Sequence, residues 1–467
     1  MGEILTEQSI SRLVTDPKGF SVGDVPPGLL SGSARPLGTH RRRAPRRYAT
    51  LASVALVSGV AFLACWSVDQ TYLGPALLLA VVLSGRMPRP GLVDVLAVLF
   101  GAWVVASLGW TVDTSATRSA VYLYGTCVLL LIAVRHVVTT TRDLLAVGGA
   151  FLAGCLLRAV ELIREPSLTG PTGRAGAFDL TIRYGIEGFN INLTAYTMVA
   201  GILLALLMGA VGGLPRAARV VLYASVPLLG YAVLLSGTRG ALAALVLGAA
   251  YLLCSRAAPR TCWRVAAFVV PAALILIPLG MGEATLLRLD GLVADRATGD
   301  LAGRMLVWPE AVAVWWQSPL AGIGAGAFTA VSSWGIGAHS LLLTLGADLG
   351  LIGVLCYAAV LTAAVRPVGN ASRPGARLAG LFLVTFLPIW LTGHWESAMA
   401  AWLPLALVSL VPALTANPTG AGGRHRRADR SGPDAVPPRL GGRRSEVPLA
   451  GPAHPAPQVG VLAQHAL

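Results

Sequence analysis

Apolar runs separated by short, arginine-bearing turns recur from residue 49 to residue 415. They fall near 49–68, 72–85, 92–110, 119–134, 143–161, 191–213, 218–236, 240–255, 265–281, 341–365, 378–393 and 398–415. A helix of about 20 apolar residues spans the hydrocarbon core and bonds every backbone group within itself. Membrane strands would alternate apolar and polar residues in segments of about 10, and these runs do not. The pattern predicts an all-α polytopic membrane protein of about 12 transmembrane helices. It also predicts two long loops on one face, about 162–188 and 282–337, the second being a large extracytoplasmic loop between spans nine and ten. Residues 1–47 and 416–467 are rich in Gly, Pro and Arg and read as disordered basic cytoplasmic tails around a membrane domain at 48–415.

Charge sets the orientation. The chain is 55% hydrophobic and 12% charged, with a net charge of +14. Arginines cluster before the first run (Arg41, Arg42, Arg43, Arg46, Arg47) and after the last (Arg424, Arg426, Arg427, Arg430). With both termini cytoplasmic, Arg86 and Arg89, Arg135 and Arg142, Arg216 and Arg219, Arg256, Arg260 and Arg264, and Arg366, Arg373 and Arg377 all fall inside, as the positive-inside rule asks. The expected location is the cytoplasmic membrane. The juxtamembrane position of the basic clusters points to membrane lipids as partners and to no nucleic acid. The six cysteines lie in or beside apolar runs without CxxC spacing and read as small apolar residues.

Arginines left on the outer face are the exceptions to explain: Arg118, Arg164, Arg174, Arg183, Arg239, Arg288, Arg296 and Arg304. Arg239 sits in Ser236-Gly237-Thr238-Arg239-Gly240, flanked by apolar residues on both sides. It is either a snorkelling residue of a turn or a phosphate ligand. Arg304 either pairs with Asp295, Asp300 or Glu310, or binds an anion. Arg183 and Arg174 are candidate substrate contacts in the first outer loop. Trp308 is a candidate for stacking on a sugar ring, or an interfacial tryptophan. Asn190 opens a span, as a sugar ligand or a helix cap. His339 suits proton abstraction from a hydroxyl, or starts a helix at the interface; His394 is a reserve. Gly322-Ile323-Gly324-Ala325-Gly326-Ala327-Phe328 lacks the strand–turn–helix setting of a dinucleotide site. It reads as a tight re-entrant turn or a backbone nest for an anion. No acidic pair or His/Asp/Glu cluster with ligand spacing lies on the outer face, so neither a metal site nor a cofactor is expected.

Three segments together resemble the O-antigen ligase and O-antigen polymerase superfamily. They are Ser236–Gly240; Gly303-Arg304 with Trp308 and the following Pro319–Phe328; and Ala338-His339-Ser340 followed by Ala347–Gly353. The resemblance covers roughly residues 190–365. It implies a membrane glycosyltransferase that takes a glycan from an undecaprenyl-diphosphate carrier on the outer face and passes it to a glycan or lipid-linked acceptor. It places the chain in cell-envelope or exopolysaccharide biosynthesis. By that resemblance Arg239 and Arg304 grip the diphosphate and His339 meets the acceptor hydroxyl. Asn often follows the family's histidine and Glu is common in the next span; here they are Ser340 and Asp348.

Two other readings compete. A peptidoglycan-type glycan polymerase shares the helical plan, but no distinctive motif of it is present. A secondary transporter or flippase for an anionic or lipid-linked substrate calls for inverted repeats and broken helices at mid-membrane. Here the polar candidates gather at one surface.

Overall fold

The computed structural model describes residues 43–66, 73–86, 90–168, 183–211, 214–280, 304–393 and 395–416. The described chain is a helical bundle. In order come α1 (Arg43–Leu63), α2 (Gly74–Leu83), α3 (Leu92–Ala106), α4 (Thr114–Val137), α5 (Thr141–Arg164), α6 (Ile191–Val211), α7 (Arg216–Ser236), α8 (Arg239–Cys254), α9 (Pro259–Gly280), α10 (Arg304–Gln317), the single turn α11 (Phe328–Val331), α12 (Leu341–Ala371), α13 (Arg373–Thr392) and α14 (Met399–Ala416). Each of the twelve apolar runs coincides with one of these helices. Among the described residues, seven helices are long and apolar enough to cross a membrane, among them α4, α5, α6, α7, α12 and α13. The protein is a multi-pass membrane protein. One pair of two-residue strands, β1 (Ser167–Leu168) and β2 (Tyr184–Gly185), closes the loop between α5 and α6.

Local chemistry sets the helix ends. Asp113 caps α4 by accepting the backbone N–H groups of Ser115 and Ala116, 2.8 and 2.9 Å away. The Ala116 N–H and its neighbours hold this carboxylate below its usual range. Asn190 accepts the N–H groups of Asn192 and Leu193 at the start of α6. Gly237, with φ 57°, turns the chain from α7 into α8. Large aromatic side chains fill the centre: Phe100 meets Tyr124, Tyr357 and Trp402 edge-on or tilted.

The continuous apolar run at 341–365 conceals a break. Gly350 adopts φ 66°, ψ −170° and splits α12 into two helical pieces. A break in a span frees backbone groups that lipid cannot satisfy, so the protein must re-pair them. The Pro319–Gly324 loop does so. Leu351 and Ile352 donate their N–H groups to the carbonyls of Pro319 and Leu320, at 2.8 and 3.2 Å. Ile323 and Gly324 donate theirs to Ala347 and Asp348, at 3.0 and 2.9 Å. The Trp103 indole N–H closes the set on the Leu349 carbonyl, 3.0 Å away.

Candidate functional site

The glycine-rich loop comes so close to the broken helix that side chains are excluded. Gly322 has φ 66°, and a Cβ there would overlap the backbone of Asp348. A Cβ on Gly350 would overlap Leu320 and Ala321. Gly324 and Gly326 also take positive φ, 112° and 70°. The loop is a tight inserted turn, and its N–H groups point at a side chain of the protein itself. The Asp348 carboxylate, 3% exposed, accepts the N–H groups of Gly326 at 2.8 Å and Phe328 at 2.9 Å.

That loop leads to His339. Among the described residues His339 is the one non-glycine residue with positive φ, 50°. The left-handed region is sparsely populated by side-chain-bearing residues, and strained backbone of this kind concentrates at functional sites. The side chain is half-buried. The preceding residue is held by Trp308, whose indole N–H donates to the Ala338 carbonyl over 2.7 Å. Trp308 is 6% exposed, in a small apolar cluster with Val307, Ala311, Phe328, Ala338, Leu343 and Ala347. It therefore clamps the His339 turn from within the protein. Arg304 is the first residue of the same helix, α10. One rigid connection thus links the helix that carries Arg304 to the turn that carries His339.

Glu310, a possible partner of Arg304 by sequence, uses both carboxylate oxygens elsewhere. One accepts the Ser333 N–H and hydroxyl at 2.8 and 2.9 Å, and the other accepts the Ser332 hydroxyl at 2.9 Å. The Ser333 N–H leads in holding this carboxylate below its usual range.

A second group surrounds Arg239. The Ser236–Thr238 turn is buried, while Arg239 is exposed at the first residue of α8. The orphan N–H groups and dipole of a helix start favour an anion, as a guanidinium does. Arg183 secures the turn from the neighbouring loop. Its guanidinium donates to the Ser236 carbonyl (3.2 Å), the Thr238 hydroxyl (3.1 Å) and the Asn192 side-chain oxygen (2.6 Å). Gly240 lies tight against Thr392 and Tyr196, whose hydroxyls are 3.2 Å apart. Both groups lie at one end of the bundle, where α3, α5 and α7 finish and α4, α6, α8 and α12 start.

Other sequence candidates resolve differently. Asn190 is a helix cap, as described above. Arg174, His394, Asp295 and Asp300 lie outside the described residues. The sequence missed Arg158. This buried residue of α5 stacks its guanidinium on the rings of Trp66 (4.6 Å) and Phe189 (3.5 Å) and pairs with Glu161 at 2.8 Å. It fixes the segment that leads into α6. An arginine inside an apolar run was the available signal.

Residues 223–358 match the O-antigen ligase family. That part of the chain is similar to O-antigen ligases. The matched stretch contains Arg239, Arg304, Trp308, the glycine-rich loop, His339 and Asp348; Arg183 and Asn190 precede it. A search of curated proteins finds no match to the chain. The match, in a multi-pass membrane protein, points to membrane glycan processing.

Proposed function

We propose that the protein transfers or polymerises a glycan from an undecaprenyl-diphosphate donor at the outer face of the cytoplasmic membrane. The carrying observation is His339 in left-handed backbone, clamped through Ala338 to the Trp308 of the Arg304 helix. Strain held that firmly beside a membrane surface is what a preorganised base requires.

The reaction reading is as follows. The anomeric C–O bond to the diphosphate breaks, and its electron pair leaves with the diphosphate oxygen. Arg239 and Arg304 stabilise that growing charge through planar, permanently charged forks matched to phosphate. The acceptor hydroxyl oxygen forms the new bond to the anomeric carbon, and His339 takes its proton. Electrostatic stabilisation of this type is large in a water-poor site, so no metal or nucleotide is needed. Arg183 acts on the Arg239 turn and positions it. The orientation rests on the positive-inside distribution of arginines.

The broken α12 is a feature that transporters share. Here the freed backbone is paired with the protein's own loop, and the buried Asp348 is spent on two N–H groups. That favours a fixed scaffold over a gate. The test uses purified protein in liposomes with a lipid-diphosphate-linked oligosaccharide and a glycan acceptor. A new glycosidic product with release of polyprenyl diphosphate is expected. Passage of the lipid-linked glycan across the bilayer without a new bond would sink the reading in favour of a flippase.

A further inference from the structure

A cavity of about 410 Å³ lies away from the candidate site. It opens at the opposite end of the bundle, between α3 and α4. Along α4, Ala116 beside the glycine-rich loop and Arg135 in the cavity are separated by about 28 Å of helix. Val98, Leu99 and Ile132 form its wall, and Asp94, Arg135 and His136 line its polar end. Val98 and Leu99 are 52% and 53% exposed on a span, so the wall faces lipid.

The polar end is ordered around the Arg135–Asp94 ion pair and His136. Arg135 spends three of its N–H groups, two on Asp94 and one on Ser409. A guanidinium has five, so two remain. His136 lies 3.0 Å from the Ser84 hydroxyl and 3.1 Å from the Arg86 carbonyl, which brings exposed Arg86 to the rim. Arg86 in turn donates to Thr139 at 3.1 Å. Asp143, the other acid nearby, is turned into the cap of α5 and accepts the Thr139 and Thr140 N–H groups. Arg86 and Arg135 thus neighbour two carboxylates that are already engaged.

A groove with an apolar, lipid-facing wall, two unused Arg135 N–H groups at its polar end and Arg86 close by matches an amphiphile with one anionic head. Its volume falls in the ~300–1,000 Å³ range of ligand pockets. We propose that it binds an anionic phospholipid of the leaflet opposite the candidate active site. An acyl chain lies along Val98, Leu99 and Ile132, and the phosphate sits by Arg135 and Arg86. This inference does not depend on glycan transfer.

Purified protein in detergent is titrated with phosphatidylglycerol or phosphatidylcholine, and thermal unfolding is followed. Phosphatidylglycerol is expected to raise the midpoint by about 3 °C or more beyond phosphatidylcholine, as a ligand of the folded state does. Leu99→Trp, which fills the groove from its lipid side, should abolish that difference. Val98→Trp takes its place if that variant fails to fold. Glycerol phosphate, a headgroup without chains, should not reproduce the shift. Equal shifts with both lipids, a difference that survives the groove-filling variant, or a full shift with glycerol phosphate would each overturn the proposal.

Discussion

Trp308 donates its indole N–H to the Ala338 carbonyl at 2.7 Å, so a buried ring in α10 holds the residue before His339. The two are 30 positions apart in sequence, and the bond makes their segments one unit. It converts a loop into a fixed platform. Trp308→Phe keeps most of the apolar packing and removes only the donor. An unsatisfied buried carbonyl costs about 1–3 kcal/mol. We expect transfer to fall well beyond the small loss of folded protein, and kcat more than KM. Equal kcat in a well-folded Trp308→Phe protein would show that the clamp does not hold the base.

Asp348→Asn changes one atom type in the nest. Asn presents one acceptor and one amide N–H₂ to the two N–H groups of Gly326 and Phe328. One of those donors then faces another donor. The expected loss of stability is about 1–3 kcal/mol, read as a lower unfolding midpoint. Gly322→Ala should be worse, because the added methyl would overlap the Asp348 backbone at φ 66°. An unchanged midpoint for Gly322→Ala would contradict the docked loop.

Arg183 spans three acceptors on two elements with a single planar group. Lysine cannot reproduce that fork although it keeps the charge. Arg183→Lys is therefore expected to loosen the Ser236–Thr238 turn and lower transfer moderately. Arg239→Lys is expected to lower it by about 10²-fold, in the range for loss of one preorganised donor at developing charge. A larger effect at Arg183 than at Arg239 would reverse the positioning and binding roles.

Length and hydropathy exposed the helices because a bilayer demands long apolar runs, and each of the twelve runs is helical. The break at Gly350 was hidden for the same reason. A split span is as apolar as an intact one, and only its φ of 66° distinguishes it. The glycine spacing of 322, 324 and 326 did signal a nest, but the occupant, Asp348, lies 22 residues from Gly326 and no local rule pairs them. Trp308 illustrates the opposite difficulty. Interfacial and buried tryptophans look alike in sequence, and its partner is a backbone carbonyl, which leaves no residue type to find. Arg239 stood out because an arginine between two apolar runs is costly, and the structure places it exposed at the first residue of α8.

Glu310 provides a pH test outside the spans. Its carboxylate is held below the usual value, first by the Ser333 N–H. A depressed folded pKa adds stability above the unfolded value of about 4.3, and that stability is lost as pH falls through the folded value. The Ser332–Ser333 loop should thus resist protease near neutrality and open in acid. Glu310→Gln should be more susceptible near neutrality, with the gap from wild type closing below about pH 4. A gap that stays constant from neutral to acid pH would remove the carboxylate from this role.

His339 allows its backbone and its imidazole to be separated. At φ 50° an alanine carries the strain of a left-handed residue, about 1–2 kcal/mol. Glycine carries none, and asparagine tolerates the region. If the turn only needs a residue that accepts this conformation, His339→Gly and His339→Asn should transfer glycan nearly as well as wild type, and His339→Ala less well. If the imidazole takes the acceptor proton, all three should lose about 10²-fold or more, while Gly and Asn insert and unfold like wild type. Near-wild-type transfer by His339→Asn would reduce this residue to a turn former and leave the acceptor proton to another group.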